Sequence, residues 1–128
     1  MDSIPILLVE DEALISTMVE DALAAAGFVV TTVARATEAL RLLEDPAAGY
    51  RALITDINLA DNITGWSVAK RAREITPDLP IVYTSGGGAS EWSSNGVPNS
   101  ILVAKPFAAG QVVTAVNQLL NQGNTPGA

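Results

Sequence analysis

Glu10, Asp11, Asp56, Ser85 and Lys105 are the residues of this chain whose types and spacing could do chemistry together. Each follows an apolar run: Ile4 to Val9 leads into Glu10-Asp11-Glu12, Ala52 to Thr55 into Asp56-Ile57-Asn58-Leu59, Ile81 to Thr84 into Ser85, and Ser100 to Ala104 into Lys105-Pro106-Phe107. Short apolar and β-branched runs read as buried strands of a parallel sheet. Polar groups at the carboxyl ends of such strands converge on one edge, where open α/β sheets bind ligands. Carboxylates gathered there repel. A like pair about 4 Å apart costs on the order of 4 kcal/mol at an effective dielectric near 20. Lys105 offsets part of that cost and a divalent cation offsets more. Mg²⁺ favours a few carboxylates completed by water and a phosphate oxygen. With such an ion bound, Asp56 is a candidate nucleophile towards a phosphoryl group, with Lys105 stabilising charge on the group transferred.

The elements between these strand ends must hold them in place. Leu14, Ile15, Met18, Val19, Ala22 and Leu23 recur at helical spacing and predict a helix from about Glu12 to Ala26, stopped by Gly27 and capped by Asp11 or Glu12. Phe28 to Val33 is a second strand. Thr37 to Glu44 is a short helix with Ala39, Leu40 and Leu43 inward and Pro46 beyond its end. After a polar loop containing Asp61 and Asn62, Trp66 to Ile75 forms a third helix on Val68, Ala69 and Ala72, broken by Pro77-Asp78-Leu79-Pro80. Ala89 to Ser94 is a weak helix after the Gly86-Gly87-Gly88 run. Gln111 to Asn121 is the last helix, leaving residues 122–128 as a flexible polar tail. Five strand–helix repeats imply a doubly wound, five-stranded parallel sheet covered on both faces, an α/β domain over residues 1–121.

Composition narrows the function. With 128 residues the chain is one domain, and 48% hydrophobic residues suffice for a core. A net charge of −7 argues against direct nucleic-acid binding, which needs a basic face. Without cysteine there is no disulfide framework or thiolate metal site, and without histidine the chain cannot itself donate a phosphoryl group from an imidazole. Met1-Asp2-Ser3 lacks the pattern of a signal peptide, and no apolar run reaches the length of a membrane span, so the expectation is a soluble, cytoplasmic protein without membrane insertion.

Leu8-Val9-Glu10-Asp11-Glu12, Ile54-Thr55-Asp56-Ile57-Asn58-Leu59, Gly65, Thr84-Ser85-Gly86 and Ala104-Lys105-Pro106-Phe107 together resemble the receiver domain of two-component response regulators, in order and near its spacing, from Ile4 to Asn121. The resemblance implies the flavodoxin-like strand order 2-1-3-4-5 and a stand-alone response regulator. It implies Asp56 as phospho-acceptor, Mg²⁺ bound by Asp11, by Asp56, by the backbone carbonyl of Asn58 and by Glu10 through water, Ser85 as the hydroxyl that responds to the phosphoryl group, Lys105 as its cationic partner, and a cis Lys105-Pro106 bond. The domain would catalyse its own phosphorylation and dephosphorylation without turning over a dedicated substrate. A histidine kinase or histidine phosphotransfer protein would supply the phosphoryl group. No effector domain fits after Asn121, so output is expected through a downstream protein or a phosphorelay, using strand four, helix four, strand five and helix five.

Two departures bear on that expectation. Where receivers place an aromatic residue three positions before the lysine, this chain has Leu102, and two further glycines follow Gly86. Both features are similar to an atypical group of stand-alone receivers with a glycine-rich loop after strand four. The alternative is a phosphate-independent interaction module on the same fold. Other enzymes on such sheets fit less well. A flavodoxin's phosphate would meet Glu10-Asp11-Glu12, no P-loop stretch is present, and a haloacid-dehalogenase-type phosphatase wants an acid where Asn58 stands.

Overall fold

The computed structural model describes residues 3–45, 47–87 and 91–123. Met1-Asp2, Pro46, Gly88, the Ala89-Ser90 start of the expected fourth helix, and residues 124–128 of the expected tail lie outside the described residues. The elements alternate: β1 Ile4–Val9, α1 Ala13–Ala25, β2 Phe28–Val33, α2 Ala36–Leu43, β3 Ala52–Asp56, α3 Gly65–Ile75, β4 Ile81–Ser85, α4 Trp92–Asn95, β5 Ser100–Ala104 and α5 Ala109–Gly123. The five strands form one parallel sheet in the order β2-β1-β3-β4-β5. β3, β1 and β4 are therefore interior, and their side chains serve cores on both faces.

The pleat divides those side chains. Leu7 and Val9 of β1, Leu53 of β3, and Ile81 and Tyr83 of β4 join Ala39, Leu43, Val68, Ala69 and Ala72 in the core under α2 and α3. Ile6, Leu8, Ile54 and Val82 join Val19, Leu23, Val112, Val116 and Leu119 in the core under α1 and α5. This two-sided burial is why the strands read as nearly continuous apolar runs.

Four details differ from the sequence expectation. In α1 only Ser16, Val19 and Leu23 are buried, while Leu14 is 89% exposed and Met18 is also exposed. The apolar stripe of this helix is wider than the face that β1 and β2 can cover. Glu12 occupies the N-cap position but makes no side-chain cap hydrogen bond. Its carboxylate turns to Lys105 instead, at 3.6 Å. α5 begins two residues before Gln111 and continues through Gly123, so Gln122 and Gly123 are helical and not tail. The weak fourth helix is a single turn, Trp92–Asn95, after which Gly96 is extended.

Candidate functional site

Parallel pairing brings the polar strand ends to one edge. Val9 pairs with Thr55, Asp56 with Thr84, and Ser85 with Ala104. Each of Glu10, Asp56 and Lys105 therefore sits at or just past the end of an interior strand or its neighbour. Glu10, Asp11 and Asp56 each turn one carboxylate oxygen into a common space, and these oxygens lie within 4.8 Å of one another. Glu10 is 4% exposed and Asp56 5%, whereas Asp11 is exposed to solvent. Lys105 reaches across from β5: its Nζ donates to Asp56 Oδ2 at 3.1 Å and pairs with Glu10 Oε1 at 3.3 Å. The Lys105-Pro106 bond is cis, as the resemblance implies.

Buried carboxylates must find donors. Glu10 Oε2 accepts from the N–H of Glu12 at 3.1 Å, and Asp56 Oδ1 from the N–H of Asn58 at 3.4 Å. Burial pushes the Glu10 carboxyl above its ordinary range. The Glu12 N–H opposes this, the negative charge of Asp56 adds to it, and Lys105 opposes without cancelling it. Burial alone would lower Lys105, but its hydrogen bond to Asp56 and the charges of Asp56 and Glu10 outweigh that and hold the ammonium above its ordinary value. One ammonium against three carboxylates leaves the pocket net negative. This set of hard oxygen donors, partly desolvated and open to solvent on the Asp11 side, fits a small divalent cation such as Mg²⁺.

Gly65 fixes the approach of the β3–α3 loop to the acid. A Cβ at this position would lie 2.2 Å from the Asp56 carbonyl oxygen and 2.9 Å from Ile57 Cα, so only glycine lets the start of α3 lie against the strand end. Its N–H donates to Ile57 O at 2.8 Å and closes the loop.

Ser85 is the last residue of β4 and is buried. Its carbonyl accepts from the Lys105 N–H at 2.7 Å and its Oγ from the Gly87 N–H at 3.0 Å. Leu102 pairs with Tyr83 in the ladder and packs, half-buried, on the core that holds Trp66 and Tyr83. Those two rings lie 4.7 Å apart. Trp92 is 38% exposed, and its Nε1 donates to Ser100 Oγ at 3.0 Å.

Two acids have partners that the sequence does not disclose. Glu12, one of the two candidate caps of α1, is a third carboxylate on Lys105, and its position two residues after Glu10 is the available signal. Asp61, in the loop after β3, accepts from the N–H groups of Ala36 and Thr37 at 3.2 and 3.0 Å. No local pattern connects residues that distant in sequence.

The sequence matches the family described as "Response regulator receiver domain" over residues 6–117. It is similar to the response regulator receiver protein CpdR of Brucella abortus (strain 2308), 32% identical over 118 residues that cover 90% of this chain and 95% of that protein. Two other curated relatives are longer transcriptional regulatory proteins, of which the chain spans 24% and 52%. The fold matches the crystal structure of a response regulator receiver protein from Sinorhizobium medicae WSM419 with a TM-score of 0.90 and 48% identity, covering 94% of this chain and 96% of that one. It also matches the receiver domain of the sensor histidine kinase PA1611 from Pseudomonas aeruginosa PAO1, whose structure has a magnesium ion coordinated in the active-site cleft. There the TM-score is 0.77 and the identity 25%, covering 94% of this chain and 99% of that one. Among the described residues no helix is long and apolar enough to cross a membrane.

Proposed function

The chain belongs to the receiver domain family of two-component response regulators, and on that premise we propose that Asp56 accepts a phosphoryl group from a histidine of a partner kinase or phosphotransfer protein. The observation that carries this reading is the convergence of the Glu10, Asp11 and Asp56 oxygens within 4.8 Å, with Lys105 on Asp56 at 3.1 Å. Asp11 and Asp56 would hold Mg²⁺ directly, with the Asn58 carbonyl and, through water, Glu10. Bound there, the ion neutralises negative charge on both the carboxylates and the phosphoryl oxygens.

An oxygen of Asp56 attacks phosphorus as the nitrogen–phosphorus bond of the donor histidine breaks. The bonding pair leaves with the imidazole, which regains a proton from solvent. Lys105 already pairs with Asp56 and stays within reach of the charge that the phosphoryl group brings. Water later attacks phosphorus, inorganic phosphate leaves, and the Asp56 carboxylate is restored. Asn58, which donates to Asp56, and the Gly87 N–H on Ser85 flank this reaction. Ser85, joined to Lys105 through the backbone, would report the phosphoryl group to β4, α4, β5 and α5, where a downstream protein or a relay partner would read it. The reading implies a cytoplasmic domain.

Intact-mass spectrometry after incubation with acetyl phosphate and Mg²⁺, beside Asp56→Asn, tests this. One added phosphoryl group that depends on both Mg²⁺ and Asp56 is expected. Labelling of the variant equal to that of the parent would reassign the acceptor. Leu102, packed where receivers place an aromatic residue, favours a second reading as a phosphate-independent interaction module. An unlabelled parent protein that still binds Mg²⁺ would select it.

A further inference from the structure

Residues 57–64 form the loop that leaves Asp56 and carries Asn58 past the acidic pocket. Its first end is secured by Ile57, whose N–H donates to Thr84 O at 3.1 Å, and its last by the close approach of Gly65 and by Thr64, whose Oγ1 accepts from the Ser67 N–H at the start of α3. Leu59 and Ile63 lay it against the core below. None of these contacts sets the sideways position of its middle.

Asp61 does so through another element. Its two carboxylate oxygens take separate N–H groups at the start of α2, Oδ1 from Ala36 and Oδ2 from Thr37. α2 has no cap of its own, since Arg35 at the N-cap position makes no side-chain cap hydrogen bond. A carboxylate is the side chain best suited to this place, because it accepts from both donors and meets the positive end of the helix dipole. Those N–H groups, Thr37 first, hold the Asp61 carboxyl below its ordinary range. The adjacent Asn62 has φ +63°, so the chain turns sharply as it leaves the anchor. The platform is firm, for Ala36 and Ala39 are fully buried against the sheet.

We propose that Asp61 is a positioning residue for the acidic pocket: by clamping the β3–α3 loop to the N-terminus of α2, it holds Asn58 where its N–H meets Asp56 and its carbonyl faces the cation site. The assignment of that cation site rests on the function proposed above; the clamp itself does not. Losing the anchor leaves Leu59 and Ile63 docked and the fold intact, but frees Asn58 to move.

The test compares the parent chain with Asp61→Ala and Asp61→Asn. Mg²⁺ titration is followed by melting temperature, acetyl phosphate labelling is measured at saturating Mg²⁺, and the Asn58 backbone amide is observed by NMR without metal. In Asp61→Ala the Asn58 resonance shifts or broadens and the Mg²⁺ midpoint rises at least about threefold, while labelling at saturating Mg²⁺ recovers to within about twofold of the parent. Asp61→Asn, whose amide oxygen can still accept from the helix, restores the Asn58 resonance and most of the Mg²⁺ affinity. An unchanged Asn58 amide and Mg²⁺ midpoint in Asp61→Ala, with only the melting temperature lowered, would overturn the proposal and leave Asp61 as a helix cap. If the parent takes up neither Mg²⁺ nor phosphate, the function proposed above fails, and the Asn58 amide alone decides the clamp.

Discussion

Lys105 Nζ stands 3.1 Å from Asp56 Oδ2, across 49 residues of sequence, and is shared with Glu10 and Glu12. One cation thus serves three carboxylates, two of them buried. The pocket is held together by an arrangement that a divalent ion would complete.

Removing that cation should make the fold depend on metal. Lys105→Ala leaves Glu10 and Asp56 facing each other unpaired and should lower stability without Mg²⁺ by on the order of 1 kcal/mol after solvent screening. Mg²⁺ should then raise the melting temperature more in the variant than in the parent, because it binds only the folded pocket. Equal Mg²⁺ shifts in the two proteins would mean that Lys105 does not share its carboxylates with the metal.

The same pair carries a signed pH dependence. Asp56 and Glu10 hold the Lys105 ammonium above its ordinary value of 10.5, against the lowering effect of burial. A raised folded-state pKa contributes stability that is complete below the unfolded value and is lost as pH rises through the folded one. The stability gap between parent and Lys105→Ala should stay constant from neutral pH to near 10.5 and close above it. Denaturant midpoints across that range measure it. A gap that closed below pH 9 or so would contradict the ion pair.

Gly65→Ala should be far more damaging than another glycine substitution. Its methyl group would meet backbone, the Asp56 carbonyl and Ile57, which cannot swing aside. A loss of about 1–3 kcal/mol is expected, together with weaker Mg²⁺ binding. Gly110, helical in α5 with open space around its missing Cβ, is the control. Gly110→Ala should stabilise by about 0.4–1 kcal/mol. Thermal melts of the two variants separate these outcomes.

Tyr83→Phe should loosen the segment between α4 and β5. The Tyr83 hydroxyl accepts from the buried Val97 N–H at 3.1 Å, and phenylalanine would leave that donor without this acceptor. About 1–3 kcal/mol should be lost, with faster hydrogen exchange at Val97. Exchange at Val97 matching the parent would show that another acceptor replaces the hydroxyl.

The three interior strands were legible in the sequence because they are buried on both faces and read as apolar runs, and the edge strands β2 and β5 because they are rich in apolar and β-branched residues. The bounds of β1, β2 and β5 coincide with the observed ones. The acidic pocket was legible for the same reason: a carboxylate or lysine at the end of such a run can go only to the sheet's carboxyl edge. Strand order decides which ends become neighbours, and the parallel order 2-1-3-4-5 places β1 beside β3 and β4 beside β5. What the sequence could not disclose depends on side chains meeting across the fold. Leu14 and Met18 fit the helical period but stay exposed, since periodicity marks an apolar stripe and not the width of the surface that covers it. Glu12 looked like a helix cap and became a partner of Lys105, because the ends of β1 and β5 lie on the same edge of the parallel sheet. Asp61 looked like any loop acid, and its partners on α2 are 24 and 25 residues away. Sequence periodicity reports burial along one element; hydrogen bonds between loops and helix ends are decided only when the elements pack.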